Sequence, residues 1–189
     1  MASIQILGKT VPIEFEIGSE PKRALDEEGL LKGAEDMAEL INAKSWTEDQ
    51  AAAFKGMNKI VFFEGKVEVD GHLMDRPCCD QDDAIFYWEA EEFERNTDAD
   101  VRANTYFHDC WHVVQFKRAG NKYAAPGQEQ VDREVDAINE QLKVAVTLGN
   151  SPQEIQFLES FRDDQQAILD RLQEGVNSGI PHRPGFLRD

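Results

Sequence analysis

Ala99-Asp-Val-Arg-Ala-Asn-Thr-Tyr-Phe-His108-Asp-Cys-Trp-His112-Val-Val-Gln-Phe-Lys-Arg118 is the stretch on which the reading of this chain turns. It follows Asn96-Thr97-Asp98, which offers a helix N-cap, and it stops at Ala119-Gly120, a helix end. Between those signals the spacing predicts one long helix. Ala103, Phe107, Cys110, Trp111 and Val114 fall on an apolar stripe at intervals of three and four. Asn104, His108, His112 and Gln115 form a polar stripe beside it. The expected helix is therefore buried along one side and presents its imidazoles into a cleft on the other. Two of the chain's four histidines stand four residues apart here, which on a helix stacks them on one face, about 6 Å apart along the axis. One helix can offer two ligands to a zinc ion in this way.

Tetrahedral zinc needs a third protein ligand, and the next helix is where to look. Pro126-Gly127 ends a loop, and a helix is expected from about Glu129 to Leu148, closed by Gly149-Asn150. Its apolar stripe is Val131, Val135, Ile138, Leu142 and Ala145/Val146. At about 100° per residue, Glu134 lies roughly 60° from the stripe's centre, while Asp132 is nearer 100° and Asp136, Glu129 and Glu140 lie beyond about 140°. Glu134 is thus the acid most nearly aimed at the interior, where a carboxylate requires a cationic or hydrogen-bonding partner. A metal on His108 and His112 is one such partner; a salt bridge to Lys117 or Arg118 is another. The histidines also have a plainer reading, as hydrogen-bonded polar residues beside a core.

The rest of the chain reads as strands first and helices afterwards. Ile4 to Ile17 predicts a hairpin around Gly8-Lys9-Thr10, with Ile13, Phe15 and Ile17 on one face and Pro12 at an edge or a strand start. A helix is expected from Pro21 to Ala43, weakened or broken at Gly29 and Gly33, and a short one from Thr47 to Lys55. Lys59–Glu64 and Lys66–Asp70 read as a second hairpin or two consecutive strands. Arg76 to Asp80 reads as a loop, and the segment from Asp82 to Phe93 as helical. Ser151-Pro152 opens a last helix with Ile155, Leu158, Phe161, Ile168, Leu169 and Leu172 as its stripe. The expected fold is α+β, one domain over 1–176, with an irregular tail over 177–189.

Composition narrows the classes of function. A net charge of −17 and a pI near 4.6 repel phosphate backbones and anionic membranes, so neither nucleic acid nor membrane is an expected partner. No apolar run is long enough to span a bilayer, and the N-terminus lacks the pattern of a secretory signal. Three cysteines, two of them adjacent, do not make a disulfide framework; a cytoplasmic protein is expected. Cys78 and Cys79 could join the two histidines in a Cys2His2 site, but adjacent cysteines chelate one ion poorly. Cys110 and Trp111 read as packing residues. Glu89, Glu91, Glu92 and Glu94 read as a solvated face, since the Glu-x-x-His pairs of a di-iron bundle are absent. His72 and His182 read as surface residues.

Phe-His-Asp-Cys-Trp-His-Val-Val-Gln (107–115) followed by Asp-Arg-Glu-Val-Asp-Ala (132–137) resembles the zincin metallopeptidases. The likeness is to the gluzincin pattern H-E-x-x-H followed by E-x-x-A, with a hairpin such as 59–70 before the active helix. It implies a zincin-like fold and one zinc ion held by His108, His112 and Glu134. It implies a hydrolase acting on a peptide or protein, with Asp109 as the base that takes a proton from the metal's water. Asn104, Tyr106, Gln115 and Tyr123 are the residues expected to line the cleft. The departure is Asp109, where the pattern has Glu; the carboxylate stops about 1.5 Å short, the length of a carbon–carbon bond. Loss of that reach leaves a second expectation: an acidic binding or regulatory protein, weak or inactive in catalysis, that keeps the metal for structure.

Overall fold

The computed structural model describes residues 2–69 and 71–173. The expected irregular tail over 177–189 and His182 lie outside the described residues. The architecture is α+β. Chain order runs β1 (Ala2–Ile6), β2 (Lys9–Ile17), α1 (Glu27–Asn42), α2 (Glu48–Phe54), β3 (Lys59–Glu64), β4 (Val67–Val69) and β5 (His72–Met74). It continues with β6 (Cys78–Asp80), β7 (Ile85–Glu89), α3 (Ala90–Arg95), α4 (Ala99–Arg118), α5 (Gln128–Leu148) and α6 (Pro152–Gln173).

Five strands form one mixed sheet in the order β1-β2-β3-β7-β6. The first pair is the expected hairpin, though its tight turn is Leu7-Gly8, both at positive φ. Pro12 is not on an edge strand: β2 lies inside the sheet, but its ladder to β3 begins only at Ile13↔Ile60. Pro12 therefore sits where no bond to β3 is asked of it. β2, β3 and β7 run parallel, with α1 and α2 in the first crossover. β3 does not pair with β4. β4 instead turns back onto β5, and this small hairpin packs on the reverse face of the sheet against Phe63, Cys78 and Tyr87.

Two sequence expectations are overturned between residues 78 and 89. Cys78–Asp80 is an edge strand rather than a loop, and Ile85–Glu89 is a strand rather than the start of a helix. Ile-Phe-Tyr-Trp alternates, with Phe86 and Trp88 buried and Ile85 and Tyr87 half-buried. β-branched and aromatic residues in that order suit a pleat better than a helix. The helix starts only at Ala90, where Glu89 accepts a hydrogen bond from the Glu92 backbone at 2.7 Å.

The main core lies between one sheet face and the helices α1 and α4. The register puts Ile13, Ile60 and Phe86 side by side, then Phe15, Phe62 and Trp88. Phe93 closes on Phe62 and Trp88, each at 4.7 Å between ring centres. α1 begins at Glu27, later than expected, because Asp26 caps it and the preceding residues are tied elsewhere: Lys22 N–H and Arg23 Nε both bond the buried Glu64 carboxylate. The helix also runs unbroken through Gly29 and Gly33. Gly33 is a point of close approach, where the Arg102 guanidinium lies over the Phe93 ring at 4.1 Å and donates to the Phe93 carbonyl. α4 matches its expected bounds, and α6 opens on a Ser151–Glu154 capping box.

A Cβ at position 33 would meet the Arg102 guanidinium and stand 2.8 Å from the Phe93 ring. Gly33→Ala is thus expected to destabilise the protein by about 1–2 kcal/mol, although Ala is favoured over Gly by about 1 kcal/mol in an unobstructed helix. Urea unfolding of the two proteins checks this; a more stable variant would mean that the Arg102 packing is loose.

Candidate metal centre

The centre is made by α4 and α5 alone. α4 is buried further round than its sequence stripe implies: Asn104 and Gln115 are buried as well as Ala103, Phe107 and Cys110. α5 covers the polar stripe that was expected to open into a cleft. Its small Ala137 is fully buried, and Glu134 projects from the same helix toward the histidines. The imidazoles are consequently only 13% and 16% exposed at their side chains, and Glu134 only 11%.

Their inward atoms form a small triangle. Nε2 of His108 and Nε2 of His112 are 3.1 Å apart. Glu134 Oε1 lies 3.2 Å from the first and Oε2 lies 3.3 Å from the second. The rings stand nearly perpendicular, at 84°. His108, His112 and Glu134 are a group that could hold a metal ion. The dimensions fit one: bonds of about 2.05 Å in a tetrahedron place neighbouring donor atoms about 3.3 Å apart. The chemistry of the donors fits too, since Glu134 Oε1 is buried and accepts no hydrogen bond of good geometry. Such an atom calls for a cation.

Without metal, a proton performs that service. Burial pulls the His108 imidazole toward its neutral form, but the charge and hydrogen bond of Glu134 outweigh it and raise the group to about 9. Burial pushes Glu134 up, and the two imidazoles more than offset this, holding it well below the usual carboxylate range. Asp109 behaves differently. Burial raises its carboxyl while His108 and His112 draw it down, and the net shift is upward. Its field also reaches Cys79 on β6 and Glu92 on α3.

The remaining expected cleft residues separate. Gln115 belongs to the centre: its Oε1 is 2.9 Å from His112 Nδ1. Asn104 lies one turn before His108, with its Oδ1 buried and lacking a donor. Tyr106 does not join the histidines. It is fully buried on the opposite side of α4, against Phe54 and Phe86, and its hydroxyl donates to the Phe54 carbonyl. Tyr123 packs on Phe116 beyond the helix end. Lys117 and Arg118 are not the partners of Glu134; Arg118 pairs with Asp49 and lies over Trp111. Cys78, Cys79 and Cys110 form no disulfide and lie outside the triad.

Two residues in the hydrogen-bond network around the triad escaped the sequence reading. Gln141 Oε1 lies 3.1 Å from His108 Nδ1. Asp136, expected to face outward, receives Trp111 Nε1–H and Gln115 Nε2–H, both at 2.8 Å on the same oxygen. Gln141 is two helical turns after Glu134 and so on its face, which is the signal that could have found it. Comparison with known proteins gives no match to a family model, a curated protein or a solved structure.

The metal-free protein has a definite pH signature. His108, raised above its unfolded value of 6.5, contributes stability in full below pH 6.5 and loses it as pH climbs through about 9. Glu134, depressed from 4.5, contributes above pH 4.5 and loses it on acidification. Stability from the pair is expected to be flat between those limits and to fall by order 1–3 kcal/mol from pH 6.5 to above 9. Urea midpoints of chelator-treated protein across this range check it, with Glu134→Gln expected to remove the alkaline slope.

Proposed function

We propose that this chain is a cytoplasmic zinc-dependent hydrolase of the zincin-like kind, acting on peptide or protein substrates. The triangle of two imidazole nitrogens and a carboxylate is the observation that carries the reading. It supports a centre with three protein ligands. Two nitrogen donors disfavour calcium and magnesium, which take oxygen. When bound there, zinc lowers the pKa of a water and polarises a carbonyl.

The protein's own residues supply the rest. His108 and His112 are held rigidly by one helix, and Glu134 by the next, so the ligands need little reorganisation. Asp109 is the base of the proposal. Its raised carboxyl is a better proton acceptor than an ordinary aspartate. The side chains of the triad are 11–16% exposed, so water and substrate have little access to it. The same seclusion, with the shorter reach of Asp109, favours a second reading in which the metal braces α4 against α5 in an acidic binding or regulatory protein.

Protein purified without added metal is expected to carry one zinc per chain, and His108→Ala or Glu134→Ala to carry less than a tenth of that. Elemental analysis decides; absence of metal from the parent protein, together with no uptake on titration, removes both readings. Zinc-loaded protein is expected to cleave within a broad peptide library, and Asp109→Asn to lower the rate by about 10²–10⁴-fold with zinc retained. If neither the parent nor Asp109→Glu cleaves any member, the enzyme reading falls and the structural-metal reading stands.

A further inference from the structure

The hydrogen bonds behind the two histidines are not interchangeable packing contacts. Gln115 Nε2 donates at 2.8 Å to both the Arg133 carbonyl and Asp136 Oδ2. Both partners are pure acceptors, so the amide can stand in only one orientation, with Oε1 turned toward His112 Nδ1. Nδ1 of His112 must therefore carry a hydrogen. Gln141 repeats the arrangement from the other helix. Its Nε2 donates to the Asn104 carbonyl at 3.4 Å, which turns its Oε1 toward Nδ1 of His108. Each imidazole is thereby set in the Nδ1–H form, and each Nε2 is left facing the other at 3.1 Å. Two bare lone pairs at that separation would repel, so the carboxamides favour a proton or a metal ion between the rings.

The supports also differ in charge. Gln141 leans on a neutral backbone carbonyl. Gln115 leans on Asp136, whose carboxylate polarises the amide and makes Oε1 a stronger acceptor for His112. The same Asp136 oxygen is held by Trp111 Nε1–H. Trp111, Asp136, Gln115 and His112 thus form one chain of hydrogen bonds between the outer edge of α5 and the centre.

We propose that Gln115, Gln141 and Asp136 are positioning residues of the metal centre. The two amides fix the tautomer and rotamer of the ligands, and Asp136 acts through Gln115 to strengthen His112. This rests on the metal reading and extends it to residues that do not touch the ion.

The test uses cobalt(II) as the probe on the full chain, with affinity measured by chelator competition and geometry by the visible absorption of the bound ion. The parent protein is expected to bind one cobalt with a tetrahedral spectrum. Gln115→Leu and Gln141→Leu are expected to bind about 10–100-fold more weakly, the loss typical of removing an outer partner of a ligand histidine, with a changed spectrum. Asp136→Ala, at an exposed position that folding tolerates, is expected to weaken binding in the same direction. Nitrogen-15 shifts of the histidine rings, expected to show Nδ1–H at His112 in the parent and not in Gln115→Leu, read the tautomer directly. Failure of the parent to bind cobalt overturns the metal reading itself. Tight binding by the parent, matched by Asp136→Ala and both leucine variants, overturns the positioning role and leaves the metal reading intact. Should the leucine variants not fold, Asp136→Ala decides alone.

Discussion

One carboxylate trapped between two imidazoles sets the terms for the helical half of this protein. Glu134 stands with little access to water, and a buried charge without compensation costs several kcal/mol. α4 and α5 can close only if a positive charge closes with them. The proton on His108 meets that need in the metal-free protein, and a metal ion meets it more fully by engaging all three groups together. The packing of α5 on α4 and the electrostatics of the centre are therefore one problem, solved at the same place.

The residues of the candidate triad were the easiest to read from sequence. The histidine helix was legible to its ends because Asp98 and Gly120 punctuate it and because its apolar spacing is regular. Glu134 was legible from angle alone. What sequence did not reveal is the state of residues 78–89. There, the acids around Ile85-Phe-Tyr-Trp imitate a helix's solvated face, and the alternation that marks a strand extends over only a few residues. The pairing of β7 with β3 and β6 on its two sides settles the matter, and no local pattern reports which strands will be neighbours.

Gln141 was hidden for a different reason. It is a neutral amide, ordinary on any helix, and its contact comes from the rotation of α5 against α4, which brings it behind the His108 ring. Asp136 illustrates the same limit. An angle measured on a single helix places it outward, yet Trp111 reaches around from the neighbouring helix to meet it. A helical wheel describes one cylinder, while hydrogen bonds between helices depend on two.

Every group that builds the centre, from Asn104 to Gln141, lies within one helical hairpin. The sheet, with its parallel crossovers, contributes none. Contacts this local close quickly, whereas the pairing of β2, β3 and β7 joins distant parts of the chain and is slow by comparison. The group of two imidazoles and a carboxylate thus lies in the part of the molecule that can assemble before its frame is complete, and the sheet is then built against a hairpin whose own polar contacts are already made.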